Sequence, residues 1–217
     1  SYIVIKMPYL RESYQKKVVK VSEVIINTLP NTIVLAIASI SIAIFLGLFF
    51  GIFSALYKGT LFEYSVQFFS TLGMSLPSFF SAIVFAWFFG FVLHELTGLN
   101  MTGSLYELDD YGENIQINLK NIILPAFVLG IRPVAVISQI MRNSLLNVLS
   151  QNYIRTAHSK GLSKFVIIRD HALKNSLSPV VTTLSGWFAS LMAGSVFVEY
   201  IFAVSYTHLR AHETNVD

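Results

Sequence analysis

The 217 residues are 54% hydrophobic and only 12% charged, against roughly 25% charged in soluble domains, which excludes a soluble globular domain and places the chain in a bilayer. A net charge of +3, carried in the links between apolar runs, supplies no basic face for nucleic acid. With no cysteine, a disulfide framework, a thiolate metal site and a cysteine nucleophile are also excluded.

Residues 1–30 are mixed and polar, with Lys6, Arg11, Lys16, Lys17 and Lys20, and contain no signal-peptide core. They read as an entry segment outside the bilayer core. Residues 31–57, interrupted only by Asn31, Thr32 and a few serines, exceed the roughly 20 needed to cross hydrocarbon and form a first span. Lys58 to Glu63 make a short polar link. Residues 66–93 form a second span broken by Pro77 in "GMSLPSFF", a proline that neighbouring helices can accommodate. His94 to Lys120 is an acidic loop with turn signals, carrying Glu95, Glu107, Asp109, Asp110 and Glu113. Residues 121–141 are a third span holding Pro125, Arg132 and Pro133, and residues 177–203 a fourth. The expected fold is therefore an all-α integral membrane protein, a polytopic helix bundle with about four spans.

Between the last two spans, residues 142–176 hold Arg142, Arg155, Lys160, Lys164, Arg169 and Lys174 against Asp170. The positive-inside rule puts this loop in the cytoplasm and the acidic loop outside. The entry segment then falls outside as well, against the rule, and an upstream span would account for that; a start at Ser1 without methionine agrees with it. Within the basic loop, Leu145, Leu146, Val148, Leu149, Ile154, Ala157 and His158 recur at helical spacing. A second set follows at Leu162, Phe165, Val166, Ile168 and Leu173. Two amphipathic helices are expected, separated at Gly161, with Ser163 capping the second. Periodicity alone is equally served by a surface pair lying at the headgroups with snorkelling lysines.

The run "YIRTAHSKGLSKFVIIRDHALKNSLSPVV", Tyr153 to Val181, resembles the EAA loop of ATP-binding-cassette importer permeases, in the form used by the dipeptide and oligopeptide (peptide/nickel) subfamily. "LPNTIVLA", "SLPSFF", "ILPAFVLG" and "GSVFVEYIF" support the resemblance in the family's order. It departs from the general motif in Arg155, where many importers have Glu, and in a later proline, Pro179; both departures fit the peptide branch.

The resemblance implies a bundle of the type I importer permease kind in a bacterial or archaeal cytoplasmic (inner) membrane. The loop then docks on cytoplasmic ATPases, and Arg155, Thr156, Ala157, Lys160, Gly161, Leu162, His171 and Asn175 are its coupling residues. Ala157 is expected on the apolar face that meets the ATPase groove. The implied partners are a second permease subunit, two ATP-binding-cassette ATPases, an extracytoplasmic substrate-binding protein and the lipid bilayer. The chain has no G-x-x-x-x-G-K-[ST] phosphate loop, so it reads as a transport subunit without catalytic residues or cofactor, the nucleotide being held by a partner. The alternative is an ion-coupled secondary transporter with no ATPase partner, which calls for ionisable groups at the midplane of broken helices.

Arg132 and Glu199 are the ionisable groups within spans and are candidates for path contact or gating, with snorkelling or pairing inside the bundle open for Arg132. Ala43, Gly47, Gly51 and Ala55, and separately Gly186, Ser190 and Gly194, repeat at four-residue spacing, which lets helices approach closely. The first row is expected to face helices outside this chain. His208 and His212 lack a third ligand, so no metal site is assigned. Residues 204–217, too polar to cross a membrane, read as a non-native tail, and by comparison with the family one span is absent at each end.

Overall fold

The computed structural model describes residues 21–103, 106–108 and 115–204. The first expected span lies in α1, Val21–Leu56, which carries helix ten residues further toward the N-terminus than the apolar run itself, through Pro30. Gly59, at φ 81°, ends the turn after α1, and Thr60 caps α2, Leu61–Ser75, by accepting from the Glu63 N–H. The second span is two helices, α2 and α3 (Ser78–Trp87), bent by 111°. Pro77 explains the break. It lacks the N–H a continuing helix needs and pushes Leu76 out of the helical region, to φ −77° and ψ 134°.

A π-helical turn, Phe88–Val92, extends α3 and leads to α4, His94–Thr97. Strands β1 (Tyr106–Leu108) and β2 (Ile115–Ile117) then pair antiparallel within the acidic loop. The third span is α5, Lys120–Leu149, with Pro125 and Pro133 inside it. Beyond it come α6 (Asn152–Ser159), α7 (Lys164–Val166), a π-helical turn (Ile167–Ala172), α8 (Leu173–Ser176) and α9 (Ser178–Phe202), the fourth span.

Contacts along α5 give the direction of every span. A methyl group built on Gly47 would lie 2.7 Å from Ile137 Cγ2, one on Gly51 2.7 Å from Met141 Cβ, and one on Gly130 3.1 Å from the Ser39 carbonyl. The two sequences advance together, so α1 and α5 are parallel. The α2–α3 pair meets α5 in the reverse order. Glu63 bonds Arg142, Gly73 faces Ile131, the Phe85 ring lies 5.8 Å from that of Phe127, and Asn100 donates to Asn121 at 3.0 Å. The pair thus travels from one end of α5 to the other and is one broken span, not a re-entrant loop. Helix α9 also runs against α5, with Ser144 donating to the Ser176 carbonyl at 2.8 Å at one end and Gly103 N–H to the Phe202 carbonyl at 3.0 Å at the other. Among the described residues, the four candidate spans therefore alternate in direction.

The core lies in two layers. At the hairpin end, Leu35, Ala82, Leu124, Val128, Leu191 and Phe202 are buried together. At the opposite end, Ala43, Ile137, Met141 and Val180 pack with Ile154, Ala157, Ile167 and Ala172 of the segment between α5 and α9. Since lipid tails are as apolar as leucine, close packing holds such helices together. Ala43, Gly47 and Gly51 are buried against α5, which corrects the expectation that this row faces helices outside the chain. Gly186 and Gly194 meet nothing within 4 Å.

Gly51→Ala is expected to destabilise the chain by about 1–3 kcal/mol, because the added methyl meets the Ser138 carbonyl, backbone that cannot yield, at 2.7 Å. Gly186→Ala, added in open space, is expected to be neutral. Thermal unfolding in detergent compares the two, and equal midpoints would contradict the packing just described.

Candidate functional site

The segment joining α5 to α9 is braced from within. Helix α6 stops in a hydrogen-bonded C-terminal turn in which Gly161 N–H donates to the His158 carbonyl at 2.9 Å and Leu162 N–H to the Ala157 carbonyl at 3.3 Å. This pattern needs a left-handed residue, and Gly161 supplies it at φ 79°. Ser163 then accepts from the Val166 N–H and starts α7, the cap expected at that position. Asn175 donates to the Tyr153 hydroxyl at 3.0 Å and to the His171 carbonyl at 3.1 Å, tying α8 to the start of α6.

The expected coupling residues fall into three settings. Arg155, Thr156, Lys160, Gly161 and Leu162 are exposed, as are Lys164 and Phe165. Asn175 is exposed as well but, with the half-buried His171, belongs to the brace described above. Ala157 is only 7% exposed and packs in the chain's own core. That corrects its expected place on the outer face: in a short amphipathic helix the apolar side turns toward whichever apolar surface is nearest, here the ends of α1 and α5. Arg169 stacks 5.5 Å over the Phe165 ring and donates to both Asp170 oxygens at 2.8 Å. Those bonds hold the Asp170 carboxyl below the usual carboxylate range, so the one acid of residues 142–176 is internally paired and the exposed surface stays cationic.

Sequence reasoning missed a buried ion pair. Glu63, 3% exposed, accepts from Arg142 Nε at 2.9 Å and from Arg142 Nη2. It also accepts from Gln67 at 3.1 Å and from the Gly59 N–H. The pair fastens the start of α2 to the last turns of α5, beside the root of the braced segment. A local signal existed in "TLFE", Thr60 to Glu63, a capping-box pattern that starts a helix. Its partner, 79 residues away, left no trace in the sequence.

Arg132 lies about 18 Å along α5 from Lys120, near mid-membrane. It is exposed, and its Nη2 donates to the Met74 carbonyl at 3.3 Å, at the break in the second span. Glu199 is buried near the far end of α9, where its carbonyl accepts from Val204 N–H at 3.1 Å; Val204, the first residue read as tail, is itself buried in the core. The structure does not bring Arg132 and Glu199 together. The remaining tail, with His208 and His212, lies outside the described residues, as do residues 1–20, Asp109, Asp110 and Glu113.

Residues 47–214 match the family model described as binding-protein-dependent transport system inner membrane component. The chain is 34% identical over 194 residues to the oligopeptide transport system permease protein AppB of Bacillus subtilis, covering 88% of this chain and 58% of that protein. It is 33% identical over 192 residues to the dipeptide transport system permease protein DppB of the same organism, with the same coverage. It is 33% identical over 189 residues to the di/tripeptide transport system permease protein DppB of Pseudomonas aeruginosa, covering 80% and 56%. The chain thus spans under three fifths of the length of these relatives.

Proposed function

The chain belongs to the family of binding-protein-dependent transport system inner membrane components, and from that premise we propose that it forms half of a peptide path across a bacterial or archaeal cytoplasmic membrane, driven through α6–α8 by cytoplasmic ATPases. The peptide cargo follows the names of its relatives, which are permease proteins of oligopeptide, dipeptide and di/tripeptide transport systems. A second permease subunit supplies the other half of the path. Two ATPases hold the nucleotide, and an external binding protein delivers cargo to the hairpin end.

The observation that carries this reading is the two-sidedness of the α6–α8 segment. Ile154, Ala157, Ile167 and Ala172 bury one side in the same cluster as Met141 and Val180 of two spans, while Arg155, Lys160, Lys164 and Phe165 face outward. A knuckle seated so firmly on span ends moves with them as a rigid body. Its exposed cationic and aromatic surface is the part free to meet a partner. The paired carboxylate at Asp170 leaves that surface basic, in keeping with a cytoplasmic position.

In the complete transporter, Lys160→Cys and Phe165→Cys are expected to crosslink to cysteines placed on the ATPase. Met101→Cys, at the hairpin end, is expected to form no such crosslink and to react with an impermeant thiol reagent applied to intact cells. The chain's lack of native cysteine makes each signal its own. External labelling of Lys160→Cys would overturn both the orientation and the ATPase contact.

A further inference from the structure

The face of α5 turned away from α1 carries a polar row over about half of its length, interrupted by Val136. Arg132, Gln139, Asn143 and Asn147 fall within roughly 80° of one another at 3.6 residues per turn, and the row is about 22 Å long. Arg132, Asn143 and Asn147 are exposed and Gln139 partly so. On the opposite side, Gly130, Ile137 and Met141 pack on α1. The flanks of the row are also assigned, to α2 through Arg142 and Glu63 and to the α9 side through Ser144 and Ser176. By contrast, the outer side of α1 exposes Phe45 (72%) and Phe49 (45%), as a surface meeting acyl chains does.

A second feature shares the depth of Arg132. The break between α2 and α3 leaves non-helical backbone at Leu76 and Pro77 in mid-membrane, with Met74, Ser75 and Pro77 exposed. Irregular backbone at membrane depth is tolerated only where it is buried in protein or borders water. A guanidinium there is costly unless it faces an aqueous cavity or a partner. The bond to Met74 occupies one of its five donors. Lipid satisfies none of the others, nor the amide of Gln139, about 10 Å further along α5. Asn143 Oδ1 accepts from Arg142 Nη1 at 2.8 Å, and Asn143 and Asn147, about 16 and 22 Å from Arg132, continue the row to the end of the span, where water reaches it. An apposed helix has its own main-chain groups already bonded and would have to match every one with side chains. Water and a passing peptide, whose carbonyls, amides and terminal carboxylate are unbonded, match all of them.

We propose that this face, from Arg132 to Asn147 with the break at Leu76 and Pro77, is the water-lined wall of the cargo path, and that Arg132 receives the cargo's terminal carboxylate at mid-membrane while Gln139, about 10 Å along α5, exchanges hydrogen bonds with its main chain and Asn143 and Asn147 continue the wall toward the mouth. This rests on the reading above that the chain forms part of a peptide path. Arg132 is the one charged residue between Lys120 and Arg142. The wall therefore favours cargo that keeps a free anionic end, whatever its side chains.

The test uses the complete transporter in proteoliposomes. Cysteines at Gln139, Asn143 and Asn147 are expected to react with a charged methanethiosulfonate at least tenfold faster than Phe45→Cys, and a saturating tripeptide, about 10 Å long when extended, is expected to slow the one at Gln139. Arg132→Gln is expected to lower uptake of a tripeptide with a free C-terminus at least tenfold. Uptake of the C-terminally amidated tripeptide should change less than twofold, and Arg132→Lys should retain most uptake of the free acid. Row cysteines no faster than Phe45→Cys would show the face covered by lipid or another subunit and overturn the proposal. Equal losses for acid and amide would overturn the role of Arg132. If the unsubstituted transporter moved no peptide, the peptide reading would fall instead, and the labelling rates would still decide whether this face meets water.

Discussion

Glu63→Ala is expected to lower the stability of the chain by about 3–5 kcal/mol, because it leaves the Arg142 guanidinium partly buried without its counter-charge. Four donors converge on the Glu63 carboxylate, from Arg142 (two), Gln67 and Gly59, and the substitution strands all of them. Glu63→Gln keeps the shape and one acceptor and is expected to lose less. Exchange of the two residues, Glu63→Arg with Arg142→Glu, is expected to recover only part of the loss. The Gly59 N–H and Gln67 amide would then face a guanidinium, which accepts nothing. Denaturation of the detergent-solubilised protein measures each step. A loss below about 1 kcal/mol for Glu63→Ala would mean that the pair is worth no more than a surface salt bridge.

That pair also shows where sequence reasoning stops. Spans were legible because length and apolarity are local quantities, and the turn at Gly161 and the cap at Ser163 were legible because they depend on a few adjacent residues. Partnership across the bundle is not local. Nothing near Glu63 points to Arg142, and nothing in the amphipathic pattern of Ile154 and Ala157 says whether their apolar side meets this chain or another protein. The row Ala43, Gly47 and Gly51 shows the same ambiguity: the spacing announces a close helix contact and leaves the partner, α5, unnamed. Pro77 was read as an interruption, but a 111° turn depends on what α3 packs against after the break, here α5 and α9 through Phe85, Ala82 and Ala86. Helix α5 runs on past Met141 to Leu149 because Leu145, buried in the same cluster as Ile154, continues its packed side after the apolar run on the other faces has ended.

If α6–α8 couple the spans to an ATPase as proposed, Gly161→Pro is expected to abolish ATP-driven uptake in the complete transporter while the spans remain inserted. Proline holds φ near −65°, far from the 79° observed at Gly161, and it lacks the N–H that Gly161 donates to the His158 carbonyl. With that turn gone, the Leu162 bond to the Ala157 carbonyl is lost too, and α7 leaves α6 at another angle. Space is not the constraint, since a side chain built at Gly161 meets nothing within 4 Å; conformation is. The graded substitutions therefore separate the two. Asparagine, which enters the left-handed region readily, is expected to keep most uptake, and alanine to lose part of it for a conformational cost of about 1–2 kcal/mol. If the segment transmits motion as a rigid unit, uptake should follow this conformational order while ATP hydrolysis by the partner persists, uncoupled, in the proline variant. Normal uptake by Gly161→Pro would show that the angle between α6 and α7 carries no force, and that the exposed surface from Lys160 to Phe165 binds without driving the spans.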